Sequence, residues 1–151
     1  MTLLFPRSTF RQFIVAAALC TVAIGFAGPA FAEIVTLKAS LNGAAEVPPN
    51  PTTATGSVTA TYDTATKKLT WQGSYTGLSG PAIAAHFHAG EPGKNGAVSV
   101  PIFAGAAAKS PFEGEATLTD AQAADLLAGR LYANIHTEAN KAGEIRGQMT
   151  K

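Results

Sequence analysis

Residues 56–76 read GSVTATYDTATKKLTWQGSYT, and the class of the fold is decided there. Apolar side chains fall on every second position, at Val58, Ala60 and Tyr62 and again at Leu69 and Trp71, with threonines between them. Side chains of a β-strand alternate between the two faces of a sheet, so a period of two means strands with one apolar face and one polar face. The intervening Asp63-Thr64-Ala65-Thr66-Lys67 is turn chemistry, and the two strands form a hairpin.

The same pattern extends outward in both directions. Runs of strand-forming residues recur at 34–41, 83–89, 97–103, 112–118, 131–137 and 144–149, separated by Gly, Pro and Asn. Seven or eight short strands at this spacing are the signature of an all-β sandwich or barrel. Asn42-Gly43 and Asn95-Gly96 are expected to place residues of positive φ at two of the breaks. Residues 119–129, TDAQAADLLAG, depart from the pattern and predict one short helix that closes an end of the sandwich. Thr119 is its N-cap, Gln122 completes a capping box, and Gly129 ends it. The proline-rich stretch 46–51, EVPPNP, reads as a rigid connection at a sheet edge.

The N-terminus is of another kind. Residues 1–32 carry Arg7 and Arg11, then an apolar run over 13–26, then Ala30-Phe31-Ala32. This is the layout of a secretory signal peptide with its cleavage site. The run of roughly 14 residues is short for a spanning helix, which needs about 20. Cys20 follows Leu19, where a lipoprotein processing site takes a small residue, so no lipid anchor is expected. Residues 33–151 then form one domain, placed in the periplasm or outside the cell and without a membrane span. That domain holds no cysteine, so its stability must come from packing or from a bound metal. The 11 basic residues lose Arg7 and Arg11 with the signal and the 10 acidic ones lose none, which leaves one net negative charge and no basic run. The electrostatic footprint of nucleic-acid binding is missing.

The three histidines are the strongest chemical signal. In Ala84-Ala85-His86-Phe87-His88-Ala89 the two imidazoles share one strand face and Ala85 and Phe87 the other. In Leu131-Tyr132-Ala133-Asn134-Ile135-His136 the alternation puts His136 opposite the apolar face. Two imidazoles at i and i+2, with a third from a neighbouring strand about 4.8 Å away, can converge on one metal. With no thiolate at hand, imidazoles suit copper best, with zinc as the alternative and nickel or iron behind. Met149, Glu138 or Glu144 are candidates for a further ligand. Glu144, Arg146 and Gln148 alternate onto one polar face and read as a charge ladder across strands. Glu113 and Glu115 share a face but sit on adjacent pleats of one strand, unlike the carboxylates of a glycosidase, which flank a cleft. No nucleophile elbow, P-loop, dinucleotide fingerprint or catalytic cysteine is present.

Four blocks in order, 41–49 (LNGAAEVPP), 85–90 (AHFHAG) with Gly93 and Asn95-Gly96, 129–137 (GRLYANIHT) and 143–148 (GEIRGQ), resemble the CHRD domain. They cover about residues 37 to 149. The resemblance implies a secreted single-domain relative of the repeated domain of chordin and leaves its activity open. A more distant likeness, in the His-x-His followed by Asn-Gly, a later strand with one His, then Gly-x-x-Arg, is to the copper/zinc superoxide dismutase sandwich. Together they imply a Greek-key sandwich, immunoglobulin-like or superoxide-dismutase-like, of about eight strands. On the second likeness His86, His88 and His136 stand in copper positions and Arg146 matches the arginine that steers superoxide. A fourth copper histidine, the zinc-loop ligands and the disulfide cysteines are absent. The expectation is therefore metal binding rather than turnover, with no catalytic residue assigned. The alternatives are a non-catalytic envelope or adhesion module with an unknown protein partner, and a copper-only dismutase-like enzyme.

Overall fold

The structure, a computed structural model, describes residues 32–105 and 109–151; the expected signal peptide, except Ala32, lies outside them. The described residues form eight strands: β1 (Ile34–Asn42), β2 (Thr55–Asp63), β3 (Lys68–Thr76), β4 (Ala82–Ala89), β5 (Ala97–Ala104), β6 (Phe112–Thr117), β7 (Leu131–Thr137) and β8 (Ile145–Gln148). A 3-10 turn (Gly43–Ala45) follows β1, and α1 (Asp120–Leu127) lies between β6 and β7. The predicted hairpin is β2–β3, with Asp63 paired to Lys68 and the inward residues Tyr62 and Ala60 opposite Leu69 and Trp71. Asp63 Oδ1 accepts hydrogen bonds from the amides of Ala65 and Thr66, and Lys67 takes a left-handed φ of 58° to close the loop.

All pairings are antiparallel, in the order β5-β4-β7-β8-β1-β2-β3-β6. β4 and β5 are a hairpin, and β7, reached from β6 through α1, returns to lie beside β4, which is a Greek-key connection. The sheet curls until its end strands meet. Phe103 of β5 and Phe112 of β6 touch edge to face at 5.2 Å between centroids, and Tyr75 packs against both rings. The core runs along the inside of this nearly closed barrel and includes Leu37, Leu41, Val58, Leu69, Phe87, Leu131, Ile135, Ile145 and Met149. Leu126 of α1 is fully buried in the core, and Gln122 donates to the carbonyl of Ser99 in β5, so the helix packs against the barrel. Its capping box is formed: Thr119 Oγ1 accepts from the Gln122 amide and Gln122 Oε1 from the Thr119 amide.

The two Asn-Gly pairs act differently from the expectation. Neither takes a positive φ; among the described glycines that conformation belongs to Gly77, Gly93, Gly105, Gly129 and Gly143. Asn42 is extended, and its side chain accepts from the Ala45 amide to cap the 3-10 turn. Gly96 is required by proximity, because a Cβ there would stand 1.6 Å from the carbonyl oxygen of Ala89.

Candidate metal centre

The outer face of β4 and β7 carries the site, and strand register assembles it. His88 pairs with Tyr132, His86 with Asn134, and Ala84 with His136. Across an antiparallel pair the diagonal neighbours are also within reach, so His136 meets His86 over the small side chain of Ala84. His86 Nδ1 and His136 Nε2 stand 3.2 Å apart, and the three imidazole centroids are separated by 5.1–5.7 Å.

Two of the rings are fixed by carbonyl oxygens. His88 Nδ1 donates to Gly96 O at 3.0 Å and His136 Nδ1 to Lys141 O at 3.1 Å. A carbonyl can only accept, so each Nδ1 carries the hydrogen and each neutral ring keeps its lone pair on Nε2. His88 Nε2 is buried and has no hydrogen-bond partner. The ligand nitrogens of the three residues lie within 4.8 Å of one another. Two nitrogens bound to one metal at about 2.0–2.1 Å stand roughly 2.9–3.4 Å apart when adjacent and no more than about 4.2 Å in any arrangement. The 3.2 Å His86–His136 spacing falls in that range, and the 4.8 Å bound on the whole cluster lies just outside it.

Burial suits these side chains to ligation. The pKa of His136 is pushed down to about 4, first by burial and then by His86, against the opposing hydrogen bond to Lys141 O. Burial and His88 lower His86. Burial lowers His88 too, the Gly96 carbonyl resists, and Arg146 lowers it further. All three rings are therefore neutral near pH 7, the form in which imidazole binds a metal.

The further ligands considered from the sequence do not join the cluster. Met149 is fully buried in the barrel core, and Glu138 pairs with Lys141 at 3.2 Å on the surface. Glu144 accepts hydrogen bonds from Ser79, Thr52, Thr137 and Asn140 instead. Among the described residues the candidate donor set is the three histidines alone. The charge ladder is also replaced. Glu144 and Arg146 are 0% and 4% exposed, because connecting segments cover the outer face of β7 and β8. Arg146 Nε donates to Ala45 O at 2.6 Å, and its Nη1 donates to Asn95 Oδ1 at 2.9 Å. Its Nε also lies 3.7 Å from a carboxylate oxygen of Glu46. The guanidinium thus holds loops together and is not presented to solvent as a guide for a substrate.

Sequence reading passed over Glu46, Tyr132 and Asn134. Glu46, in the proline-rich stretch, is 6% exposed, and burial raises its carboxyl pKa to about 7 although Arg146, Asn134 and Val47 pull it down. Tyr132 stacks on His88, with ring planes 8° apart and centroids 5.1 Å apart. The available signal was that every polar residue on the non-apolar face of 131–137 falls in the same block as His136; what each one touches depends on register. Glu113 and Glu115 are exposed on β6, and Glu115 pairs with Lys68 at 2.7 Å.

Residues 37–149 match the CHRD domain. No curated protein and no solved structure matches the chain.

Proposed function

The chain belongs to the CHRD domain family, and we propose that its domain binds one transition-metal ion through His86, His88 and His136. Copper is the favoured ion: the donors are imidazoles without thiolate or carboxylate, and affinities of such sites peak at Cu(II). Zinc is the alternative. The observation that carries this reading is the buried Nε2 of His88, which has no partner while its Nδ1 is anchored to Gly96 O. A buried polar atom without a partner is costly, and a metal at that position removes the cost. The signal-like 1–32 segment supports action in the periplasm or outside the cell. No helix among the described residues is long and apolar enough to cross a membrane. Loop ordering uses the Nδ1 atoms of His88 and His136 and leaves His88 Nε2 without a partner, which supports a metal-holding role over a module in which these rings merely order loops.

The test is titration with Cu(II) and Zn(II) of protein lacking residues 1–32, beside a His86→Ala/His88→Ala variant. One equivalent bound by the wild type alone, with a rise in melting temperature that grows with free metal, is the expected result. Equal melting curves and no stoichiometric metal in either protein would overturn the proposal.

A further inference from the structure

Tyr132 touches the proposed site twice without offering it a ligand. Its ring lies parallel to that of His88 at 5.1 Å. Its hydroxyl accepts the Gly96 amide hydrogen at 3.1 Å, and the carbonyl of the same Gly96 accepts from His88 Nδ1 at 3.0 Å. One contact sets the plane of the imidazole, and the other holds the peptide that fixes which nitrogen is free. The two constraints are independent, yet both originate in one side chain.

That side chain is itself held. The Arg146 guanidinium lies over the Tyr132 ring, 4.8 Å from its centroid, so the ring that stacks on His88 also carries a cation–π contact. Arg146 also donates to Asn95 Oδ1 and Ala45 O, tying the loop that contains Gly96 to the strap after β1. Tyr132 is 3% exposed, so the stack is shielded from competing water. Tyr132 thus contacts both His88 and Arg146 across β4, β7 and β8, set by the pairing of His88 with Tyr132 and the diagonal placement of Arg146.

We infer that Tyr132 is the positioning residue of the metal centre: by its stack on His88 and its hydroxyl bond to Gly96, it holds His88 Nε2 aimed at the ion. The inference rests on the metal reading above and adds who sets the geometry. Partners that orient metal-ligating histidines are typically worth ~10–100-fold in affinity.

The experiment loads the purified full chain with one equivalent of Cu(II) and compares wild type, Tyr132→Phe and Tyr132→Leu by competition titration and by electron paramagnetic resonance. Tyr132→Phe keeps the stack and loses the hydroxyl; Tyr132→Leu loses both. The expected result is a graded one, with affinity falling about 10–100-fold in Tyr132→Leu and less in Tyr132→Phe, and with g-values and copper hyperfine splitting shifted from wild type in the same order. Should Tyr132→Leu not fold, the Tyr132→Phe spectrum carries the test. Wild-type affinity and an unchanged spectrum in the folded variants would overturn the positioning role while leaving the metal site standing. Failure of the wild type to bind copper or zinc overturns the metal reading, and this inference with it.

Discussion

His136 sits 7% exposed beneath the loop that follows β7, with the rings of His86 and His88 turned toward it, and its pKa falls to about 4. In the unfolded chain the same ring takes a proton near its ordinary value of 6.5. Between those values the unfolded state binds more protons than the folded one, so stability rises with pH across the window. His136 is expected to withdraw stability from the metal-free protein as pH falls from 6.5 toward 4, while Glu46, with its carboxyl raised to about 7, acts in the opposite sense, so His136→Gln is expected to make the slope of stability against pH less positive than in wild type. Urea unfolding at half-unit steps of pH measures it, and an equal slope in the two proteins would count against a neutral, buried His136. At this scale the sequence was legible as far as facing goes: period-two alternation put all three histidines on the non-apolar side of their strands. It could not reveal Tyr132 or Arg146 as their supports, since which residue stacks on His88 follows from a register of β4 against β7 that no local pattern encodes.

Glu144, just before β8, works at the scale of whole connections. Its carboxylate accepts from the Ser79 amide and hydroxyl, from the hydroxyls of Thr52 and Thr137, and from the Asn140 amide group. One side chain therefore pins the segments joining β1 to β2, β3 to β4 and β7 to β8. Burial alone would raise its pKa, but the bonds from Ser79, Thr137 and Thr52 outweigh burial and bring it down to about 2. A folded value below the unfolded 4.5 means stability that is present above that pH and lost as pH falls toward 2. Glu144→Gln, which turns an acceptor into a donor facing donors, is expected to cost about 2–3 kcal/mol at pH 7 and to differ less from wild type in acid. A variant within a few tenths of a kcal/mol of wild type at neutral pH would contradict this account. The elements themselves were readable, including the hairpin, the capped helix and all eight strands to within a residue or two. The polar face of 144–148 was not, because alternation tells which way a side chain leaves the sheet and not whether a loop crosses over it.

At the scale of the molecule the barrel is nearly closed by side chains where β5 and β6 meet. Phe112 fills the seam between Phe103 and Tyr75, and a Cβ on Gly73 would come within 2.4 Å of the Phe112 ring, so Gly73 makes room for it. Phe112→Ala is expected to destabilise by about 3 kcal/mol and to speed amide hydrogen exchange in β5 and β6 more than in β1. Uniform acceleration across the sheet would contradict a seam held by these rings. Strand order was beyond the sequence for a physical reason: each strand announces itself by a local period, but order depends on contacts between residues far apart in the chain. The proposed metal site inherits that limit, as three histidines on outward faces converge only if β7 lies beside β4.

Convergence on a metal is therefore the claim to test most directly, by X-ray absorption at the copper edge on the loaded chain. The bound ion is expected to have three imidazole nitrogens at about 2.0 Å among its ligands, with the outer-ring scattering of histidine and no sulfur. A sulfur scatterer, or fewer than three imidazoles around the bound ion, would contradict it.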